Sequence, residues 1–218
     1  MVPMAVSVSF RTFVLEQLGQ VRPVTTRPMF GGLTFFAEGP EAGVDAVAFR
    51  IRPATPDDAA ILADLGERTF RETFQPLYEP ADFEAFLAEA YGEAIQRAEL
   101  ADPSRPALLL EVDGIPAGFA QLRLDQRESG VPGIRSAELQ RIYLLQTAQG
   151  GGRGAALLAA SEDLARNQAA DVLWLGVWEH NAKALAFYAR CGFREVGEHS
   201  FAIGNQVDRD LLLAKALR

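Results

Sequence analysis

The stretch Gln149-Gly150-Gly151-Gly152-Arg153-Gly154-Ala155 carries the clearest chemical signal in this 218-residue chain. It follows the run Leu139 to Leu145. It opens a stretch, Ala155 to Gln168, in which Leu157, Leu158, Leu164 and Ala165 recur at helical spacing. The order is strand, glycine-rich turn, helix. Glycines remove the Cβ atoms that hold a ligand away from the backbone. The first turn of a helix offers unpaired N–H groups and a partial positive charge. Together they suit a pyrophosphate. The alternative is a tight loop that simply needs glycines, and the surrounding context must decide. His180 and His199 are the only histidines, and with the single Cys191 they lack metal-ligand spacing, so no metal is expected. Cys191 falls in the final turn of a helix and reads as a small buried residue rather than a nucleophile.

The turn must be held by a larger α/β scaffold. Val47 to Arg52 alternates like an edge strand. Thr55-Pro56-Asp57-Asp58 is a helix start, with Thr55 as cap and Pro56 at the first position. That helix runs to about Phe74, Tyr78-Glu79-Pro80 breaks it, and further helices follow near 81–91 and 93–101. Ala107 to Val112 and Ile115 to Leu124 flank Asp113-Gly114, a strong hairpin turn. The polar stretch 126–136 is a loop. Glu138 to Leu145 is the strand before the glycines. After the long helix come a buried strand, Val172 to Val177, and a helix from about Asn181 to Cys191, ended by Gly192. Phe193 to Val196 and Arg209 to Ala214 read as short final strands. Residues 1–47 stand apart, with a short helix over Phe10 to Gly19 and a strand, Met29 to Ala37, bent at a glycine pair. That segment is too small for its own core, so it must pack on the rest or pair with another chain, which leaves a homodimer open.

Composition narrows the function class. The chain is 49% hydrophobic and 23% charged, an ordinary mixture for a globular protein with a real core. No apolar run approaches the roughly 20 residues of a membrane span, and the first residues lack the pattern of a signal peptide. One cysteine precludes an internal disulfide and fits a reducing cytoplasm. The formal net charge of −8 argues against a nucleic-acid surface. It favours cationic ligands at long range, although acidity also serves solubility.

The element order and two motifs together resemble the GCN5-related N-acetyltransferase (GNAT) superfamily. The turn has that family's Q-x-x-G-x-G/A form. The second motif is Asn181-Ala-Lys-Ala-Leu-Ala-Phe187-Tyr188-Ala-Arg-Cys-Gly192-Phe193, matching N-x-x-A-x-x-F-Y-x-x-x-G-F. The likeness covers roughly residues 48–217. It implies a mixed central sheet of about six to seven strands, a splay between the two central parallel strands, helices on both faces, and acetyl-CoA as acetyl donor. Gly176 to Phe201, residues 69–74 and the terminal Asp210 to Lys215 are similar to the subfamily around PaiA, a bacterial polyamine acetyltransferase. That implies a small amine acceptor such as spermidine or spermine; a peptide acceptor and a non-catalytic acetyl-CoA-binding regulator are the alternatives. Residues 10–39 are similar to the opening of the TfoX N-terminal domain, read as a truncated extension before a GNAT domain over 48–218.

The resemblance assigns residues one at a time. Gln149, Gly150, Gly152, Arg153, Gly154 and Ala155 correspond to the pyrophosphate cradle. Ile142, Tyr143 and Leu144 correspond to the strand edge that pairs with the pantetheine arm as an added strand would. Asn181 corresponds to a contact on that arm, or is simply a helix cap. Tyr188 corresponds to the group that meets the departing thiolate, and its ordinary pKa of about 10 lies near that of a thiol. Its alternative is a buried aromatic with its hydroxyl bound to backbone. Glu138 corresponds to the base that takes the amine proton. Strand alternation puts it on one face with Gln140 and Ile142 unless a bulge intervenes. Glu179 is a second candidate for the base and Glu72 for acceptor binding. Acidic residues near 67–84 and 125–128 are candidates for recognising acceptor cations.

Overall fold

The computed structural model describes residues 24–29, 32–37 and 49–217. One sheet runs through it. Its strands are β1 (Val24–Met29), β2 (Gly32–Ala37), β3 (Phe49–Pro53), β4 (Ala107–Val112), β5 (Ile115–Arg123), β6 (Ser136–Leu144), β7 (Val172–Trp178), β8 (Arg194–Ile203) and β9 (Gln206–Ala216). Their spatial order is β1-β2-β3-β4-β5-β6-β7-β9-β8. Each neighbouring pair is antiparallel except β6 and β7. Strands β3 to β9 form the expected mixed sheet, and the β1–β2 hairpin continues it past β3. The stretch Met29 to Ala37 is therefore not one bent strand. Met29 pairs with Gly32, and Val24–Met29 is a strand of its own. The helix expected over Phe10 to Gly19 lies outside the described residues.

The helices are α1 (Ala59–Phe74), α2 (Pro80–Tyr91), α3 (Glu93–Ala101), α4 (Arg153–Asn167) and α5 (Ala182–Arg190). A 3-10 turn, Pro56–Asp58, precedes α1. There Asp58 accepts from the Thr55 N–H at 2.8 Å and from both terminal nitrogens of Arg52, at 2.7 and 2.8 Å. That bidentate pair ties the start of α1 to β3 and holds the Asp58 carboxyl down at about 2.

Helices α1 to α3 cover one sheet face. Phe70 of α1 meets Tyr143 of β6 edge-on at 6.4 Å, and Glu99 of α3 binds Arg141 at 2.6 Å. Helix α4 lies on the other face. Its Leu157, Leu158, Leu164 and Ala165 are buried, as their spacing predicts, and Glu162 meets Lys215 of β9 at 2.7 Å. Helix α5 abuts the start of α4, with Phe187 3.8 Å from where a Gly154 Cβ would stand. Where no helix covers the first face, over β7 and β9, Val172, Trp174, Leu212 and Ala214 form a small core of their own under Val131 and Val196.

The final strands are much longer than the short runs expected. Their residues alternate between exposed and half-buried over most of β8, so little apolar patterning marks them. Their pairing, from Arg194↔Ala214 to Ile203↔Gln206, holds them instead.

Candidate functional site

The two parallel strands part. Pairing between β6 and β7 covers only Ser136↔Val172, Ala137↔Leu173 and Glu138↔Trp174, although β6 continues to Leu144 and β7 to Trp178. On its other side β6 stays paired to β5 out to Gly118↔Leu144. The part of β6 that carries Ile142, Tyr143 and Leu144 thus presents a free backbone edge to the gap, and an unpaired edge accepts an added strand.

A bulge lies where the parting begins. Gln121 pairs with Arg141 and Leu122 with Leu139, which leaves Gln140 as the extra residue. An extra residue bends its strand and raises its twist. It also reverses the alternation, so Glu138 shares its face with Arg141 and Tyr143 while Ile142 and Leu144 point the other way. The expected grouping of Glu138 with Ile142 is corrected by this residue. The side-chain oxygen of Gln140 is buried with no hydrogen-bond partner among the described residues, which leaves an acceptor free beside the gap.

The glycine turn follows a short 3-10 turn, Gln146–Ala148. Gly150, Gly151 and Gly152 all take positive φ, at 89°, 58° and 76°. Residues with a Cβ avoid that conformation, so three in succession account for the three glycines. A Cβ at Gly150 would find nothing within 4 Å, so its glycine serves backbone shape and open approach rather than packing. The first i→i−4 bond across the turn runs from Ala156 N–H to the Gly152 carbonyl at 2.9 Å, so the N–H groups of Gly154 and Ala155 precede the helical ladder. Such successive N–H groups ahead of a helix make an anion cradle.

The cradle's side chains turn inward. Gln149 donates to the Leu144 carbonyl at 3.3 Å and accepts from Lys183 of α5 at 2.5 Å. Arg153 bends back on its own loop, donating to the Ala148 carbonyl at 3.3 Å. Glu72 accepts from the Gln146 N–H at 2.9 Å and its own carbonyl accepts from the Gln146 side chain at 3.2 Å. Glu72, read as an acceptor-binding candidate, is engaged here as a brace from α1 to the loop.

Asn181 caps α5. Its Oδ1 accepts from the Ala184 N–H at 3.1 Å, which leaves its side-chain N–H groups for another partner. Tyr188 is only 8% exposed, with its ring against Phe187 and Phe193 at 5.2 and 5.6 Å between centroids. Among the described residues no hydrogen bond forms at its hydroxyl. Burial first, and then the nearby Tyr143 phenol, push its pKa well above the ordinary value. It therefore keeps its proton at any physiological pH.

The opposite face of the gap is acidic. Glu138 is half-buried and receives Arg123 at 3.1 Å; burial raises its pKa while Arg123 and His199 oppose the rise. Asp208 accepts from the Tyr78 hydroxyl at 2.5 Å. Asp210 sits opposite His199 in the β8–β9 register, and burial raises its pKa. Phe86 of α2 and Phe201 of β8 meet edge-on at 5.9 Å and wall one side. Glu128 reaches in from the loop after β5, with its carboxylate 3.9 Å from His199.

Several acids expected to meet acceptor cations have other partners. Glu67 and Glu84 clamp Arg71 at 2.9 and 2.5 Å, and Asp82 accepts from the Asn205 N–H at 3.4 Å. Glu179 is bound to Arg209 at 2.9 Å. The carboxylates that gather around His199 are Asp210, Glu128 and Glu138, with Asp208 beside Asp210. Asp210 was legible only within a subfamily likeness and Asp208 not at all, because their convergence depends on cross-strand register. Among the described residues no group of three or more His, Cys, Asp or Glu could hold a metal ion, and no helix is long and apolar enough to cross a membrane.

Known proteins resemble this chain in sequence and in fold. The pattern of the acetyltransferase (GNAT) family matches residues 68–193. An uncharacterized N-acetyltransferase from the 3′ region of pepI in Lactobacillus delbrueckii subsp. lactis is 37% identical over 70% of this chain and 88% of its own. An aminoglycoside N(6')-acetyltransferase type 1 of Stenotrophomonas maltophilia is 33% identical over 69% of this chain and 89% of its own. The PaiA N-acetyltransferase of Thermoplasma acidophilum, solved in complex with coenzyme A, shares the fold with a TM-score of 0.60 at 19% identity. That match covers 77% of this chain and 98% of that one. A family pattern over more than half the sequence and a relative matched over most of its length lead to one conclusion: the chain belongs to the acetyltransferase (GNAT) family of enzymes.

Proposed function

We propose that this enzyme moves an acetyl group from acetyl-CoA to a primary amine of a small cationic molecule, with a polyamine such as spermidine or spermine as the leading acceptor. The observation that carries the donor half is the free edge of β6 followed, after a single 3-10 turn, by three left-handed glycines at the start of α4. A pyrophosphate suits the cradle formed around Gly150, Gly152, Gly154 and Ala155, with Gln149 and Arg153 at its rim. The two amides of a pantetheine arm suit the Ile142–Leu144 edge, and the free Gln140 oxygen and the spare Asn181 N–H groups lie ready beside that path.

The reaction is a direct attack. The amine nitrogen adds to the thioester carbonyl carbon, which backbone N–H groups of the β6 edge polarise. Collapse of the tetrahedral intermediate breaks the C–S bond, and the electron pair leaves on sulfur. Tyr188, fully protonated, hydrogen-bonds the thiolate and passes on a proton. Before attack the amine must shed a proton to a group on the acidic face, where Glu138 and His199 both sit.

The acceptor class is supported by the carboxylates Asp208, Asp210, Glu128 and Glu138 around the recess, since cations gather where like-signed carboxylates line a cleft. The curated relative named for aminoglycosides also points to amines that carry several charges. On the same reading, residues 48–218 are the catalytic domain and 1–47 an extension.

The test is a thiol-release assay with acetyl-CoA across spermidine, spermine, free amino acids and short peptides. Turnover is expected with the polyamines. Turnover with peptides alone would move the acceptor to proteins, and binding of coenzyme A without turnover on any amine would leave a non-catalytic regulator.

A further inference from the structure

His199 occupies a position that the donor chemistry does not explain. It stands on β8 opposite Asp210, and its ring lies between two carboxylates. Nε2 is 3.9 Å from Asp210 Oδ2, and Nδ1 is 3.9 Å from Glu128 Oε2. Both separations exceed a direct hydrogen bond and leave room for a ligand nitrogen or a water to bridge. The imidazole is 32% exposed, so a ligand can reach it.

The ring is aimed at the gap. A Cβ built on Gly176 would lie 3.0 Å from His199 Nε2 and 3.4 Å from Asp210 Oδ2. Gly176 is two positions beyond Trp174, where β7 makes its last pair with β6. The missing side chain therefore seats the imidazole over the parted section of β7. Tyr188 belongs to α5, on the α4 side of the sheet, so the two groups flank the parting from opposite faces. That is the arrangement a thioester threaded through the gap requires, with the nucleophile approaching from one side and the sulfur departing to the other.

Glu138 is the rival for the same task. Its Oε2 is tied to Arg123 at 3.1 Å, and the guanidinium charge beside it opposes uptake of a proton. An imidazole nitrogen can take and release a proton in neutral solution, which suits a general base for an amine. We propose that His199 accepts the proton of the incoming ammonium, with Asp210 and Glu128 as the carboxylates that position the ring and stabilise its charged form.

This assignment rests on the acetyltransferase reading above. An N–H bond of the ammonium breaks and an N–H bond forms on imidazole. The freed lone pair makes the C–N bond, and the nitrogen's second proton ends on the coenzyme A sulfur by way of Tyr188. His199 then releases its proton to solvent, so the reaction yields amide, free thiol and one proton. The charged groups facing the imidazole are Asp210, with Asp208 beside it on β9, Glu128 from the loop, and Glu138 with its partner Arg123 from β6 and β5.

The experiment measures kcat/KM against pH for the full chain at saturating acetyl-CoA, using whichever of spermidine, spermine or an amino-acid amide the wild type turns over fastest. His199→Gln is expected to lower kcat/KM about a hundredfold, abolish the acid limb of the profile, and leave the Kd for coenzyme A unchanged by calorimetry. His199→Ala should regain part of its rate on adding imidazole. Asp210→Asn, which removes a carboxylate that favours imidazolium, should move the acid limb to lower pH. Gly176→Ala keeps the histidine but displaces it, and should lower the rate as well. If His199→Gln keeps the rate and limb of the wild type, or Glu138→Gln alone removes the limb, the assignment is overturned while the enzyme reading stands. A wild type that binds coenzyme A but acetylates no amine overturns both.

Discussion

Replacing Tyr188 by Phe separates chemistry from packing more cleanly than any other change in this site. The substitution keeps the ring and removes one oxygen. The ring contacts to Phe187 and Phe193, at 5.2 and 5.6 Å, survive. The lost hydroxyl makes no hydrogen bond among the described residues, and burial is the main cause of its raised pKa. The oxygen is not among the fully buried polar atoms that lack a partner, so only part of the roughly 1–3 kcal/mol penalty for burying an unpaired hydroxyl applies. Removing it should leave stability unchanged or raise it by about 1 kcal/mol, which for a chain of this size is roughly 2–4 °C in Tm. The reaction should move the other way. Without a donor for the leaving thiolate, kcat should fall about a hundredfold or more, the span of general acid catalysis. Thiol release read by a chromogenic disulfide gives kcat, calorimetry gives the Kd for coenzyme A, and differential scanning calorimetry gives Tm. The expected signature is lower kcat, unchanged Kd and equal or higher Tm. Unchanged kcat would remove Tyr188 from the mechanism. A fall in kcat accompanied by weaker coenzyme A binding and a lower Tm would make it a packing residue.

Three further outcomes follow from the same geometry. Gly150→Ala puts a Cβ into open space at φ 89°, so its cost is backbone strain alone, about 1–2 kcal/mol. If the strain is relieved by losing the cradle, the Kd for coenzyme A rises roughly 5- to 30-fold by calorimetry, while acceptor KM stays put. Glu72→Ala removes the acceptor of the Gln146 N–H and should weaken coenzyme A in the same assay, whereas Glu72→Gln, which keeps an acceptor oxygen, should restore most of it; a rise confined to acceptor KM would return Glu72 to the acceptor site. At high pH the buried tyrosines set a limit on stability. Tyr91 and Tyr188 are 4% and 8% exposed and both have raised pKa values, so above about pH 10 the unfolded chain loses their protons and the folded chain does not. Stability present below pH 10 should then fall by about 1.4 kcal/mol per pH unit for each, with Tyr143 and Tyr78 acting in the same direction. Tyrosinate absorbance near 295 nm should accordingly appear in one step with the loss of helical circular dichroism; a gradual rise in the folded state would show the phenols to be wet.

The glycine turn, its helix and the Asn181 cap were legible because they are local chemistry. A run of glycines demands positive φ wherever it occurs, the helix after it is marked by leucines at turn spacing, and Asn181 stands where an asparagine caps. Helices α2 and α3 start and stop within a residue or so of their expected ends for the same reason, since Pro80 and Gly92 act on their own neighbours. The brace from Glu72 to Gln146 spans 74 positions, and nothing near either residue announces it. The bulge at Gln140 is equally silent. It shows only as a shift of register against β5, yet it decides that Tyr143 rather than Ile142 shares a face with Glu138.

The acidic face is written in register instead. Between the two short runs read as strands, residues 197–208 carry more polar than apolar side chains, so the middle of the hairpin shows no strand pattern until the two strands are laid side by side. His199 then meets Asp210, Phe201 meets Asp208, and Gly176 of β7 opens a floor beneath them. Each partner alone is an unremarkable surface residue. The turn depends on backbone conformation, whereas the acidic face depends on which side chains a long hairpin brings into line, so the proposed donor and acceptor functions should be separable by substitution. Substitutions along β8 and β9 should change the preferred amine at nearly constant coenzyme A affinity, and substitutions in the turn should do the reverse. A hairpin change that weakened coenzyme A as much as it weakened the acceptor would show that the two halves are not separable.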